Sequence, residues 1–150
     1  MMKDGPYFED LPVGTVCETG TYTMSREAII EYARVYDPQP FHLTDEGAAK
    51  SFFGRLVASG WHSASVTMKL MVESEFFGTT GLIGLGVDEL RWPKPVLPGD
   101  VVHVRAEVVE NTPTKSGGRA RLRWATTLLN ERDEVVFSFV SLTLFPGRPH

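Results

Sequence analysis

The run Ser59-Gly60-Trp61-His62-Ser63-Ala64-Ser65-Val66-Thr67-Met68-Lys69-Leu70-Met71-Val72 decides the fold. Its one charged residue is Lys69, and its other polar members are His62 and small hydroxyls. A helix of that make-up can be buried on most of its faces. Ser59-Gly60 opens it and the pattern runs on to about Phe77. The apolar part is too short to cross a bilayer, so another part of the chain has to wrap around it.

The C-terminal half offers the wrapping. Val102, Val104, Ala106 and Val108 alternate with His103, Arg105, Glu107 and Val109, and Ala120, Leu122, Trp124, Thr126 and Leu128 alternate with Arg119, Arg121, Arg123, Ala125 and Thr127. Period-two alternation of this kind reads as half-buried antiparallel strands. The segment Asn111 to Gly118 between them, with Pro113, Gly117 and Gly118, reads as a mobile hairpin tip. Val135 to Phe145 is apolar on both faces, as a central or interfacial strand would be. Leu82 to Trp92 reads as a further strand, followed by Pro93 to Asp100, in which Pro98-Gly99 suits the central positions of a type II turn.

Upstream, Thr15 to Thr23 is extended, and Ser25 is placed to cap a helix from Arg26 to Tyr36 with Ala28, Ile29, Tyr32, Ala33 and Tyr36 on one face. Asp37-Pro38 stops it, because the residue before proline is pushed out of the helical region. A loop over Pro38 to His42 follows. A second helix is then expected from Asp45 to about Phe53, capped by Thr44 or Asp45 and ended by Gly54. These elements predict one α+β domain over residues 1–150, a curved antiparallel sheet enclosing a helix.

Composition agrees with that expectation. A chain of 150 residues can bury roughly 68–70% of its unfolded surface. With 42% hydrophobic and 23% charged residues it is neither disordered, collagen-like nor a coiled coil. A net charge of −4 lacks the basic field that nucleic-acid binding needs. The single cysteine, Cys17, cannot form an internal disulfide and suits a reducing compartment. Met1-Met2-Lys3-Asp4-Gly5-Pro6 has no apolar export segment. The expectation is a cytoplasmic protein with neither nucleic acid nor membrane as partner.

Two residues stand out for chemistry. Asp37 and His42 flank a bend stiffened by Pro38 and Pro40, which lowers the entropy lost in holding two side chains in one geometry. A carboxylate and an imidazole are a usable base and acid near neutral pH, more so if burial raises the carboxylate, and together they could hold one water. The same residues also suit a plain reading in which Asp37 ends a helix and His42 satisfies a loop carbonyl. Gly60 adds a third element, since unpaired N–H groups at a helix start can meet a substrate oxygen. His62 reads as a core histidine or a third polar group. Glu73 and Glu75 read as solvated or paired with Lys69, and Lys94, Lys115, Arg119, Arg121 and Arg123 as a solvated strand face or as contacts to ligand phosphates. There is no phosphate-cradling loop, dinucleotide fingerprint, metal-spaced His/Cys cluster or Gly-x-Ser-x-Gly elbow.

The run Tyr32-Ala33-Arg34-Val35-Tyr36-Asp37-Pro38-Gln39-Pro40-Phe41-His42 resembles the hydratase motif of the MaoC-like dehydratases, which include the (R)-specific enoyl-CoA hydratases and share the hotdog fold. Leu56-Val57-Ala58-Ser59-Gly60 and Leu90-Arg91-Trp92-Pro93-Lys94-Pro95-Val96-Leu97-Pro98-Gly99-Asp100 extend the resemblance, which covers about Tyr7 to Phe145. It implies Asp37 and His42 as catalytic residues and Gly60 as the backbone donor to a thioester carbonyl. Gln39, Phe41, Ser59, Trp61 and His62 are then expected to line the substrate. Tyr36 stands where the family usually has glycine, Gln39 where it has asparagine, and His62 where an apolar residue is usual.

The implied reaction is reversible hydration of a trans-2-enoyl thioester to the (R)-3-hydroxyacyl product, with no metal or redox cofactor. The implied partners are an acyl-CoA or acyl-carrier thioester and further copies of the chain, as a homodimer or higher homo-oligomer. An exposed sheet edge points the same way, with Val135, Val136, Phe137 and Phe139 as expected contacts. Two other functions fit the same fold: a thioesterase, for which the first turns of the central helix lack an acid, and an acyl-thioester binding module without turnover.

Overall fold

The computed structural model describes residues 5–74 and 81–150. After a short 3₁₀ turn at Phe8–Asp10 the elements run β1 (Val16–Thr23), α1 (Arg26–Tyr36), α2 (Pro40–Leu43), α3 (Asp45–Ala49), α4 (Gly60–Glu73), β2 (Ile83–Arg91), β3 (Val101–Pro113), β4 (Arg119–Leu129) and β5 (Val135–Pro146). The strands form one sheet in the order β1-β3-β4-β5-β2, with every neighbouring pair antiparallel.

Alternation sets which face of the sheet is buried. Val102, Val104, Ala106 and Val108 of β3 and Ala120, Leu122, Trp124 and Leu128 of β4 are at most 2% exposed. Each fully buried aliphatic side chain of this kind contributes about 1.5–3 kcal/mol. Against this face lies α4, which buries Ser63, Val66, Thr67, Leu70 and Met71. One long helix held in the hollow of a curved antiparallel sheet is the hotdog arrangement. Trp124 is admitted to the core with its Nε1 satisfied, donating to Thr143 Oγ1 at 3.1 Å, and that hydroxyl donates on to Leu122 O at 3.2 Å.

Local signals in the chain have their expected outcomes at several joints. The Ser25 hydroxyl caps α1 by accepting from Ala28 N, Thr44 caps α3, and Ser59 caps α4. At the Pro98-Gly99 turn, Gly99 has φ 91° and Asp100 N donates to Leu97 O at 3.0 Å. Lys69 pairs with Glu73 at 2.5 Å, Lys94 with Glu134, and Arg123 with Glu110 and Asp88.

Four expectations need correction. Pro40 to Leu43 is helical rather than loop, because proline at the first helical position loses no hydrogen bond. The next helix ends at Ala49 instead of Phe53: the Ser51 hydroxyl donates to Ala48 O at 2.6 Å, and the chain turns through Gly54 at φ 70°. Val136, Phe137 and Phe139, expected at a contact between copies, are buried in this chain's own core, since β5 lies between β4 and β2. The edge on that side is β2, where Ile83, Leu85 and Val87 are exposed. The expected run of α4 to Phe77 is not met either, since the helix ends at Glu73 and Ser74 is already extended; residues 75–77, Glu75 among them, lie outside the described residues.

Candidate active site

Asp37 closes α1: its N–H donates to Ala33 O at 2.9 Å, and Pro38 bars a further turn. The chain reverses, and the single turn of α2 carries His42 back toward Asp37. Phe41 O accepts from Val57 N at 3.1 Å and Val96 O accepts from Ala58 N at 2.9 Å. Residues 57 and 58 are thereby strapped between α2 and the segment before β3. That strap delivers the Val57 carbonyl to His42 and starts α4 beside Asp37.

The His42 ring is buried, with Nδ1 2.7 Å from Val57 O and Nε2 3.3 Å from Asp37 Oδ2. A carbonyl only accepts, so Nδ1 carries the proton toward Val57. In the neutral ring Nε2 then presents a lone pair beside a carboxylate oxygen. Two acceptors side by side at 3.3 Å are the complement of a molecule with two protons to donate, which is what water is.

Asp37 is held by donors on both oxygens. Gln39 Nε2 donates to Oδ1 at 2.7 Å and Ser59 Oγ donates to Oδ2 at 2.6 Å. Burial pushes its pKa up, but the Ser59 and Gln39 hydrogen bonds, with the positive charge His42 carries when protonated, outweigh burial and hold the carboxyl below its usual range. The sequence-based idea of a burial-raised carboxylate is therefore overturned: the Ser59 and Gln39 donors keep Asp37 ionised.

At the start of α4 the Ser59 hydroxyl also accepts from Trp61 N at 3.2 Å. One buried serine thus ties the helix start to the carboxylate. The Gly60 N–H has no hydrogen-bond partner among the described residues. Its carbonyl accepts from Trp92 Nε1 at 2.9 Å, and a Cβ on Gly60 would stand 2.5 Å from the indole. Glycine is needed here because the Trp92 ring lies where a side chain would be. Trp92 in turn meets Trp61 edge-on at 5.1 Å and stacks on Phe137.

A cavity of about 390 Å³ opens at this point, within the usual range for small-molecule sites. Asp37, His42 and Gly60 come together on its wall, with Gln39, Phe41 and Trp61 beside them. Two residues expected to line the substrate are not on the wall. Ser59 sits behind Asp37, and His62 turns away to stack on Tyr32 at 4.6 Å with 5° between the rings. His62 Nδ1 has no hydrogen-bond partner among the described residues, and burial pushes its pKa down to about 4. Tyr36, at the family's glycine position, is exposed and packs on Tyr32.

Sequence reasoning did not find three participants. The Val57 carbonyl sets the His42 tautomer, and no carbonyl announces itself in a sequence. Trp92 shapes Gly60 from 32 residues away; its signal is the Trp-Pro-Lys-Pro run, which reads as strand and turn. Ser63, buried in α4, lines the cavity, and its only signal was the number of small hydroxyls in an otherwise apolar helix.

A second cavity, about 200 Å³, flanks the third turn of α4 between Met68, Met71, Trp124 and Phe139 on one side and Gly84, Gly86 and Val87 of β2 on the other. Among the described residues no group of three or more His, Cys, Asp or Glu side chains is placed to hold a metal, and no helix is long and apolar enough to cross a membrane.

Comparison with known proteins bears on this geometry. The model of the MaoC like domain matches residues 10–127. A MaoC-like dehydratase structure from Rhodospirillum rubrum is 41% identical, with a TM-score of 0.90 over 97% of this chain and 100% of that one. The chain is 32% identical over 147 residues to a 3-hydroxybutyryl-CoA dehydratase of Methylorubrum extorquens, covering 95% of this chain and 85% of the relative. The unliganded R-hydratase PhaJ1 of Pseudomonas aeruginosa aligns with a TM-score of 0.78 at 28% identity, over 95% of this chain and 86% of that one. With the family model spanning most of its length, this chain belongs to the MaoC-like dehydratases.

Proposed function

We propose that the protein is an acyl-thioester hydratase that adds water reversibly across a trans-2-enoyl-CoA to give the (R)-3-hydroxyacyl-CoA. The observation that carries this reading is the pair of acceptors, Asp37 Oδ2 and His42 Nε2, 3.3 Å apart on the wall of a cavity. A water bridging them has both protons engaged and its oxygen lone pairs free to attack C3. As the C3–O bond forms, one water proton passes to the Asp37–His42 pair, and electron density moves from the C2–C3 double bond onto the thioester carbonyl. The Gly60 N–H donates to that oxygen. His42 then helps return the proton to C2, which restores the starting protonation of the pair. Hydroxyl and proton come from one place and so add to one face.

Relatives named as a 3-hydroxybutyryl-CoA dehydratase and an R-hydratase support the substrate class. A thioesterase reading lacks an acid where it needs one, since α4 carries its first carboxylate at Glu73, in its last turn. The apolar cavity at the third turn of α4 would take an acyl tail, with Gly84 and Gly86 leaving the room. The protein would act as a homodimer: β2 is an unpaired edge with Ile83, Leu85 and Val87 exposed, and Met68 and Val72 of α4 are exposed too. A second copy would cover them, and a monomer in sedimentation would overturn that part.

The test of the reaction is direct. Incubation with short- and medium-chain trans-2-enoyl-CoA should bleach their conjugated absorbance and yield the (R)-alcohol. Unchanged absorbance across the series rejects the reading.

A further inference from the structure

Helix α4 carries three hydroxyls within its span, and they do not behave alike. Ser65 Oγ donates to Trp61 O and Thr67 Oγ1 to Ser63 O, both at 2.8 Å. This bond to the carbonyl four residues back is the usual resting place of a helical hydroxyl. Just outside the helix, Ser59 and Ser74 are also bonded, to Asp37 Oδ2 and Met71 O. Ser63 differs from these. It is 2% exposed, its hydroxyl has no hydrogen-bond partner among the described residues, and it lines the cavity that Asp37 and His42 share.

Its position in the helix gives this a direction. Ser63 is three residues beyond Gly60, and residues at that spacing share one helix face. The Gly60 N–H, one of the unpaired donors of a 14-residue helix, lines the same cavity. The Ser63 oxygen is not among the sealed buried atoms that lack a partner, so it is reached from the cavity and its proton is free for a ligand acceptor there. Two donors one turn apart on one wall suit an oxygen that gains negative charge.

We propose that the Ser63 hydroxyl is a second donor to the substrate's thioester carbonyl oxygen, sharing it with the Gly60 amide. Gly60 alone would stabilise the developing enolate with one hydrogen bond; Ser63 adds a second, strongest when the oxygen is most negative. The site then takes a carbonyl flanked by an apolar tail and selects against ligands that lack an acceptor there. This inference rests on the thioester reading above, and its test separates the two.

The probe is butyryl-CoA isotopically labelled at its thioester carbonyl, a saturated compound that can bind but not be hydrated, read by difference infrared spectroscopy. The carbonyl band is expected at lower frequency on the protein than free in solution, and Ser63→Ala should move it part of the way back. In parallel, kcat for trans-2-butenoyl-CoA should fall roughly tenfold to a hundredfold in Ser63→Ala, with a smaller change in KM. Alanine is the better helix former, and Ser63→Cys, close in size with a weaker donor, gives an independent reading should Ser63→Ala fail to fold. An identical carbonyl band in wild type and variant overturns the proposal, as does a wild type that binds no thioester. A shifted band with no loss of enoyl absorbance supports the Ser63 contact and rejects the hydratase reading instead.

Discussion

Two histidines, His42 and His62, are 5% and 6% exposed, lie on either side of Ser59, and have opposite surroundings. His42 has a carbonyl on one nitrogen and a carboxylate near the other. His62 has an aromatic ring over its face and no partner for Nδ1 among the described residues. Burial is common to both and does not tell them apart. Polar partners do: the first ring is oriented and its proton located, whereas the second is a flat, neutral packing element that pins α4 to α1.

Four tests bear on that contrast, from the largest effect to the smallest. Replacing either member of the partnered site, Asp37→Asn or His42→Ala, should lower enoyl-CoA hydration about 100- to 10,000-fold while the protein stays folded, as steady-state kinetics and circular dichroism would show. A variant within a few-fold of wild type would erase the difference between the two histidines. Gly60→Ala should destabilise the fold by about 1–3 kcal/mol in urea unfolding, because the new methyl meets the Trp92 indole. Adding Trp92→Ala should relieve that clash, and a double variant that unfolds no later than the sum of the two losses would deny it.

Ser59→Ala sharpens the contrast from the carboxylate side. It removes a charge-assisted hydrogen bond of about 1.5–3 kcal/mol from Asp37. A lost donor to the ionised form raises the pKa, so the acid limb of kcat/KM against pH should move upward. An acid limb that stays in place would show that Ser59 does not hold Asp37 ionised. The mildest case is His62→Phe, which keeps a stacked ring and removes the titration. In the folded protein burial pushes the His62 pKa down to about 4, from an ordinary 6.5. Between those values the unfolded chain binds more protons, so His62 leaves stability intact above about pH 6.5 and erodes it as pH falls toward 4. The phenylalanine variant should lose less stability across that window, and parallel urea profiles for the two proteins would count against the assignment.

Reading the chain from its residues recovered some of this and missed some, each for a physical reason. The strands were legible because Val102 to Val108 and Ala120 to Leu128 alternate with a period that only a half-buried strand uses. Helix starts were legible at Ser25, Thr44 and Ser59 because capping is a contact within a few residues. The boundary at Ala49 was missed because it is decided by the Ser51 hydroxyl competing for a helix carbonyl. The assignment of Val136, Phe137 and Phe139 to an interface failed because apolar character on both faces does not say whether a strand is inside its own sheet or at its edge.

The site divides the same way. Asp37, Pro38, Pro40 and His42 are close in the chain, so their meeting follows from a bend that local sterics impose, and any reader of the sequence can find it. The reasons Asp37 is ionised, His42 is protonated on Nδ1 and Gly60 must be glycine lie in Ser59, Val57 and Trp92, which are 22, 15 and 32 residues away from them. Contacts at such separations exist only once the sheet has closed on α4. Backbone preference and side-chain period act over a few residues, while protonation state and close packing depend on whichever groups folding brings within about 3 Å.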